Sequence, residues 1–206
     1  MRILITGSSG FIGQNLLACL NHFNCETFSR EELRTVSSDF LKGKDVIIHL
    51  AGVAHDLKKS STPKEYYDVN FELTKKLYDA FLSSDARKFI FMSSVKAVAD
   101  SIEGTLNEDV VPNPQTDYGK SKLLAEQYMQ KQPVPEGKSY FILRPCMVHG
   151  PGNKGNLNLL YNGVKKGLPY PLAGFDNRRS FLSVDNLCFV IKELIINFVS
   201  LPPEVT

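Results

Sequence analysis

The residues best suited by type and spacing to take part in catalysis are a tyrosine and a lysine four positions apart, Tyr118 and Lys122. Residues with this separation share one face of a helix, and the surrounding sequence predicts a helix over residues 117–130. A lysine ammonium beside a phenol can lower the pKa of the phenol, so that it releases and regains a proton near neutral pH. The pattern Tyr-x-x-x-Lys also arises often by chance, so its interpretation depends on other motifs in the chain.

A glycine-rich segment supplies the first of these motifs. Residues 6–13 read TGSSGFIG and lie between a predicted strand and a predicted helix, the context in which such a segment binds a dinucleotide. Gly7 would form a tight turn, Gly10 would let the backbone approach a pyrophosphate, and Gly13 would let the helix pack closely on the strand. The helix N-terminus would direct its free N–H groups at the phosphates. A glycine-rich turn without a ligand is the alternative.

The end of the second predicted strand bears on the choice between the two nicotinamide cofactors. An acidic residue there would bond the ribose 2′-hydroxyl of NAD, whereas an arginine would accept the 2′-phosphate of NADP. The sequence reads Phe28-Ser29-Arg30, which favours NADP. Glu31 and Glu32 follow directly and keep NAD open, and Arg30 could also be a solvated surface charge.

Short apolar runs alternate with amphipathic segments along the chain, and this alternation predicts an α/β fold: a doubly wound parallel Rossmann sheet with helices on both faces. The predicted strands cover residues 2–6, 25–28, 45–50, 88–93 and 139–143, with a short additional strand around Thr35–Val36. The predicted helices cover residues 11–21, 65–82, 117–130 and 185–199. Ligands bind at the carboxyl ends of the strands in such sheets, which places Ser93 and Ser94 near the glycine-rich segment.

From Arg144 onward, frequent glycine and proline interrupt this alternation. We therefore assign residues 1–150 to an NAD(P)-binding domain and residues 151–206 to a partial, small substrate-binding region.

Composition narrows the class of protein. The chain has 206 residues, 43% of them hydrophobic and 22% charged, which is enough for a sizeable core. The net charge is +2 without a basic run, so no nucleic-acid partner is expected. The four cysteines and four histidines show no metal-ligand spacing, so we expect reduced thiols, no metal and a cytoplasmic protein. No segment approaches the roughly 18 apolar residues of a membrane span.

Taken in chain order, these motifs resemble an extended short-chain dehydrogenase/reductase, and most closely the NAD-dependent epimerase/dehydratase family that acts on nucleotide sugars. The motifs that carry the resemblance are the glycine-rich segment, His49-Leu50-Ala51-Gly52, Asn70, Ser93-Ser94, Tyr118 with Lys122, and Arg144-Pro145 followed by Gly150-Pro151.

The resemblance implies roles for individual residues. Ser94 would bond the 4-oxygen of the sugar, Tyr118 would be the acid/base, and Lys122 would hold the nicotinamide ribose and tune Tyr118. A hydride would pass between the nicotinamide and C4 of the sugar. Asn70 matches a position that supports the active-site helix. The residues expected at the dinucleotide are Gly7, Ser9, Gly10, Phe11, Ile12, Gly13, Arg30, Leu50, Ala51, Gly52, Asn70, Tyr118 and Lys122.

The resemblance also implies a nucleotide-linked sugar as the substrate. Arg179 would grip the diphosphate of a UDP-linked sugar, since a guanidinium is a bidentate donor, although residues 178–179 could be a solvated basic turn. Asn156 lies where family members often place a substrate-binding asparagine. The 4,6-dehydratases carry an acidic pair after the catalytic hydroxyl, but Val95-Lys96 stands there, so we set dehydration aside. A 4-epimerase or a 4-keto reductase of surface-polysaccharide sugar synthesis remains.

Family members usually continue for about another hundred residues, within the size range of domains. The substrate-binding region is therefore expected to be truncated, with a naturally short variant as the alternative. The resemblance further implies a homodimer through the helices at 65–82 and 117–130, although their apolar residues could all be core. A dinucleotide-binding sensor or scaffold without catalysis is the competing function.

Overall fold

The computed structural model describes residues 1–53, 62–153, 156–167 and 179–197, apart from the side chains of Asn156, Asn158 and Leu159. Within these residues, five parallel strands form one sheet in the order β2-β1-β3-β4-β5. The strands are β1 (Arg2–Thr6), β2 (Asn24–Phe28), β3 (Val46–His49), β4 (Lys88–Met92) and β5 (Ser139–Leu143). The predicted parallel sheet is confirmed.

The helices are α1 (Phe11–Cys19), α2 (Arg30–Arg34), α3 (Pro63–Tyr66), α4 (Leu73–Leu82), α5 (Asp117–Lys131), α6 (Asn156–Lys165) and α7 (Val184–Ile196). A π-helical segment (Tyr67–Glu72) joins α3 to α4, and 3₁₀ turns cover Ser38–Leu41 and Val95–Ala97. The predicted single helix over 65–82 is therefore interrupted by a wider turn. Such π segments occur frequently at functional sites.

The strand predicted around Thr35–Val36 is wrong. Ser29 caps α2 by accepting a hydrogen bond from the Glu32 amide, and the Glu32 carboxylate accepts one from the Ser29 amide in return. This reciprocal capping box starts a helix at Arg30. Thr35 is the C-terminal cap of that helix, and a 3₁₀ turn follows at Ser38. The described sheet consequently has β2 at this edge.

Both faces of the sheet are buried, as expected for parallel strands with crossover helices. Successive strand residues point to opposite faces. Ile3 and Ile5 of β1 belong to a core cluster that includes Leu16 of α1 and Ile191 of α7. Leu4, between them, belongs to a cluster with residues of α4 and α5. The predicted helices on both faces are confirmed.

Residues 182–195 join this core. Strand β6 (Met147–His149) pairs in parallel with β7 (Phe181–Ser183), and α7 follows β7 directly. One side of α7 is buried in the same core cluster as α1. Among the described residues, no helix is long and apolar enough to cross a membrane. No group of three or more potential metal ligands lies within them either.

Candidate functional site

The glycine-rich segment forms the turn between β1 and α1. Gly7 has a φ of +72°, and a Cβ added to it would lie 2.6 Å from the Ala51 amide nitrogen. A Cβ on Gly13 would lie 2.6 Å from the Ser8 Cα. These contacts are with backbone, which cannot move aside as a flexible side chain can, so both positions require glycine. The turn thus fits the close helix–strand approach that a dinucleotide-binding loop needs.

A cavity of about 470 Å³ opens in front of this turn. It extends from the start of α1 to the end of β2 and the start of α2, and the segment after β3 forms its third side. The residues predicted at the dinucleotide that line it are Gly7, Ser9, Gly10, Arg30, Leu50, Ala51 and Gly52. The cavity and the exposed N-terminus of α1 therefore lie together, as binding of a pyrophosphate would require.

Arg30 is the first residue of α2, at the β2 end of this cavity. Its guanidinium lies 4.0 Å from the Glu65 carboxylate, and the two side chains are 50% and 43% exposed. A pair this exposed is weak and leaves the guanidinium available to an anion. Glu32 lines the same cavity, but its carboxylate accepts the Ser29 amide at 2.7 Å. Hydrogen bonds from the backbone and hydroxyl of Ser29 lower the pKa of Glu32.

The predicted catalytic residues meet in an adjoining cavity of about 200 Å³ at the carboxyl ends of the strands. Ser94, Tyr118 and Lys122 all line it, together with Ile12 of α1. Ser94 lies two residues beyond β4, where its hydroxyl accepts the Lys96 amide at 3.2 Å and caps a 3₁₀ turn. Leu50 and Gly52 line both this cavity and the dinucleotide cavity. The structure therefore places the three residues beside the predicted cofactor site.

The start of α5 is held by one carboxylate. Asp100 accepts hydrogen bonds from the Gln115 amide at 2.8 Å and from the amide and hydroxyl of Thr116 at 3.0 and 2.9 Å. Burial alone would raise the pKa of Asp100, but these hydrogen bonds bring it below its ordinary value. Thr116 in turn caps α5, since its hydroxyl accepts the Gly119 amide at 3.3 Å. This arrangement fixes Tyr118, in the first turn of the helix.

Burial raises the pKa of Tyr118, and a hydrogen bond with the Ser94 hydroxyl acts in the opposite direction. This differs from the expectation that Lys122 would lower the pKa. The Lys122 ammonium instead donates to the Met92 carbonyl at 2.8 Å and lies 4.8 Å from the centre of the Phe91 ring. Tyr118 is consequently a phenol that retains its proton and can donate it.

Lys122 is a buried cation, with 4% of its surface exposed. Burial lowers its pKa to about 8, and the nearby Glu126 carboxylate opposes this shift. At neutral pH the side chain is therefore still mainly protonated, but close to the range in which it loses its charge. Sequence reasoning had assigned Lys122 a role without indicating this sensitivity.

Asn70 lies in the π-helical segment and has no exposed surface. Its amide nitrogen donates to the Val53 carbonyl and to the Ser121 hydroxyl, each at 3.1 Å, and its amide oxygen accepts the Val53 amide at 2.8 Å. Ser121 donates in turn to the Tyr118 carbonyl at 2.8 Å. Asn70 thus connects the segment after β3 to the helix that carries Tyr118. Its predicted contact with the dinucleotide stays a prediction.

His49 is a functional candidate that sequence reasoning used only as part of a motif. Thr74 donates to the Asn70 carbonyl at 2.8 Å, so its hydroxyl must accept from His49 Nε2 at 2.9 Å. Nε2 therefore carries a proton, and in a neutral ring Nδ1 is left to accept from the Thr6 hydroxyl at 2.7 Å, while Thr6 accepts the Ala51 amide at 3.2 Å. Burial, with a contribution from the charge of Lys122, lowers the pKa of His49 to about 3.

Glu126, Ser93 and Arg144 form a further cluster that sequence reasoning missed. Glu126 is fully buried and accepts hydrogen bonds from the Ser93 hydroxyl and the Arg144 guanidinium. The available signal was its position four residues after Lys122, on the same helical face.

Arg179, predicted to bind the substrate, is not among the described residues that line these two cavities. Arg179 is exposed and lies two residues before β7. Asn156 begins α6, but its side chain lies outside the described part, as does residue 178. Their proposed roles stay predictions.

Comparisons with known proteins give the family. A sequence profile of the NAD dependent epimerase/dehydratase family matches residues 3–204. UDP-glucose 4-epimerase of Vibrio cholerae is 33% identical, over 92% of this chain and 65% of that protein. GDP-6-deoxy-D-talose 4-dehydrogenase of Aggregatibacter actinomycetemcomitans is 31% identical, over 95% of this chain and 70% of that protein.

A solved structure shares the fold. MoeE5 in complex with UDP-glucose and NAD superimposes with a TM-score of 0.83 at 23% identity, over all of this chain and 75% of that one. The chain spans 65%, 50% and 63% of three of the curated relatives that it matches. Together, the profile match and the sequence identity show that the chain belongs to the NAD dependent epimerase/dehydratase family.

Proposed function

We propose that this chain carries the dinucleotide-binding and catalytic part of an enzyme that transfers a hydride between a nicotinamide cofactor and C4 of a UDP-linked sugar. The observation that carries the proposal is the convergence of Ser94, Tyr118 and Lys122 in one cavity. That cavity shares Leu50 and Gly52 with the cavity at the glycine-rich turn. A reacting sugar and a nicotinamide could therefore occupy adjacent positions.

The residues present fit a dinucleotide. The turn at Gly7 and the start of α1 would hold the pyrophosphate, and the cavity end near Arg30 would hold the adenosine ribose. Leu50 and Gly52 would line the path towards the nicotinamide. When bound, the dinucleotide supplies the hydride chemistry, which no protein side chain provides.

Tyr118 and Ser94 would handle the proton at the sugar 4-oxygen. In the reductive direction the Tyr118 phenol donates its proton to that oxygen, which suits a group whose pKa is raised by burial. The Ser94 hydroxyl is hydrogen-bonded to the phenol and can bond the same oxygen. In the oxidative direction the phenolate of Tyr118 would accept the proton, with Lys122 as the buried cation that lines the same cavity. An acidic residue after Ser94 is lacking, because Val95 and Lys96 follow, so water elimination is not proposed.

The relatives support reaction at C4 of the sugar and a nucleotide-linked substrate. The names of the Vibrio and Aggregatibacter proteins both specify chemistry at C4 of a nucleotide-linked sugar. A third relative, from Pseudomonas aeruginosa, is a UDP-2-acetamido-2,6-beta-L-arabino-hexul-4-ose reductase, 30% identical over 77% of this chain. A 4-epimerase and a 4-keto reductase both fit these names. Arg179 remains the residue that we propose binds the UDP diphosphate.

NADP is our proposed cofactor, with NAD as the alternative. The weakly paired guanidinium of Arg30 lies at the cavity end where a 2′-phosphate would lie, while Glu32 is engaged with Ser29. MoeE5 binds NAD, as does the UDP-glucuronic acid 4-epimerase of Bacillus cereus, and these names favour the alternative.

A homodimer also stays a proposal. The apolar residues Val69, Leu73, Leu77 and Phe81, which the predicted contact would use, are buried in the core of this chain. Leu124 of α5 is 39% exposed and is the apolar side chain on that helix that a second copy could cover.

The test is calorimetric titration of the protein with NADPH and NADH, with and without UDP-N-acetylglucosamine, followed by turnover assays. Tyr118→Phe removes only the hydroxyl, so we expect unchanged dinucleotide affinity and a loss of turnover of at least about 100-fold, in the range for general acid–base catalysis. Unchanged biological output of the Tyr118→Phe protein would favour the sensor or scaffold function instead. Lack of binding to either dinucleotide would overturn the assignment of the glycine-rich turn.

A further inference from the structure

Glu126 lies one helical turn after Lys122 on α5, behind the catalytic cavity rather than on its lining. It has no exposed surface. A carboxylate in this position is costly unless it is paired and hydrogen-bonded. Its partners therefore indicate why it is there.

Those partners come from the ends of two strands. Arg144, the first residue after β5, donates from Nε at 3.1 Å to each carboxylate oxygen and from Nη2 at 2.5 Å to one of them. The Ser93 hydroxyl, just beyond β4, donates to the other oxygen. One carboxylate thereby joins α5, which carries Tyr118 and Lys122, to the strand end that carries Ser94.

The Glu126 carboxylate also affects the charge balance around Lys122. Within the part of the chain that the structure describes, the titratable groups around the ammonium are Glu126 and Tyr118 on α5, His49 at the end of β3, and Cys146, which lines the same cavity. Tyr118 is neutral as a phenol, and burial keeps the His49 imidazole neutral at neutral pH. Glu126 thus supplies a negative charge that offsets the burial of Lys122, while Arg144, 17% exposed, balances it from the far side.

We propose that Glu126 is a positioning residue that fixes the Ser94 strand end against the Tyr118–Lys122 helix and supplies the buried negative charge that compensates the Lys122 ammonium. The inference rests on the proposed function, because it assigns Glu126 a part in organising that same site. Glu126 acts through Ser93 and Lys122, without touching the reacting atoms itself.

Two variants separate the geometric role of Glu126 from its electrostatic role. Glu126→Gln keeps the shape and removes the charge, whereas Ser93→Ala keeps the charge and removes the link to β4. Lys122 would be followed by NMR titration of lysine side chains labelled with ¹³C, with its signal assigned from the Lys122→Met spectrum. Lys120, exposed on the same helix, is the internal control.

For Glu126→Gln we expect the Lys122 titration to move about one pH unit or more to lower pH, as the loss of a nearby opposite charge implies. The alkaline limb of the turnover profile should move with it. For Ser93→Ala we expect the titration to stay in place while kcat falls about tenfold, with dinucleotide affinity retained, because Ser94 is displaced. A merely structural role for Glu126 would shift neither the titration nor the profile.

An unchanged Lys122 titration in folded Glu126→Gln protein would overturn the inference. If that variant does not fold, Glu126→Gln/Arg144→Gln removes the unpaired guanidinium as well. Its titration is then compared with that of Arg144→Gln, and equal values would likewise overturn the inference. The titration needs no substrate. A shift of the expected size in a protein that turns over no UDP-sugar would therefore support the role in Lys122 charging and refute the proposed function separately.

Discussion

The buried imidazole of His49 should make the protein acid-sensitive in a defined pH range. Its Nδ1 accepts from Thr6 and its Nε2 donates to Thr74, so the neutral ring satisfies every group in the chain of bonds. Protonation would place a positive charge on a fully buried ring near the Lys122 ammonium, and Thr6 could no longer donate to Nδ1. The folded state therefore resists protonation, whereas the unfolded chain takes up a proton near the ordinary histidine pKa.

The sign and size of the effect follow from the two pKa values. Burial, assisted by Lys122, lowers the pKa of His49 from 6.5 to about 3 in the folded protein. Below pH ~6.5 the unfolded state binds more protons than the folded state, so the free energy of unfolding falls as pH falls, until about pH 3. Each pH unit corresponds to about 1.4 kcal/mol, so about 2 kcal/mol should be lost between pH 6.5 and pH 5. That is a large share of a typical stability of about 5–15 kcal/mol.

The assay is urea unfolding from pH 8 to pH 4.5 for the wild type and for His49→Gln, which cannot titrate. We expect the variant to be less stable at pH 8, because it loses hydrogen bonds. Its free energy of unfolding should nevertheless fall less steeply below pH 6.5, by about 1.4 kcal/mol per pH unit. The exposed histidine His22, changed to Gln, is the matched control and should leave the slope unchanged. Equal slopes in the wild type and His49→Gln would refute the argument.

Two other predictions concern the dinucleotide cavity. Gly13→Ala should destabilise the protein by about 1–3 kcal/mol and weaken dinucleotide binding at least tenfold, because the added Cβ would meet the Ser8 backbone at 2.6 Å. Gly163→Ala in α6, where nothing lies within 4 Å of the added atom, is the control; equal effects in denaturation and calorimetry would contradict the prediction. Arg30→Ala should weaken NADPH about tenfold and NADH less than twofold, since only NADPH offers a 2′-phosphate. Equal losses for both cofactors would argue against NADP.

The parts of the fold and site that sequence predicted are those whose signals are local. Four of the five confirmed strands are short apolar runs, and the turn at Gly7 and the Tyr118–Lys122 pair each lie within eight residues. The prediction of a strand around Thr35–Val36 was wrong because Ser29 and Glu32, three residues apart, form a capping box that starts a helix there.

What sequence did not predict depends on contacts between distant segments. The hydrogen-bond partners that set Glu126 apart from other helical glutamates are Arg144, eighteen residues later, and Ser93, thirty-three residues earlier. His49 likewise acquires its role through Thr6 and Thr74. The raised pKa of Tyr118 depends on burial, which a four-residue spacing does not reveal.

The wall shared by the two cavities has a consequence for protein engineering. Leu50 and Gly52 face both the dinucleotide and the catalytic cavity, and a Cβ on Gly52 would lie 2.9 Å from Asn70 Oδ1 and 3.3 Å from Lys122 Nζ. A substitution in this wall would alter cofactor affinity and turnover together. Arg30 lines the dinucleotide cavity but not the catalytic one. Redesign of cofactor preference should therefore begin at Arg30, where the two properties can be selected independently.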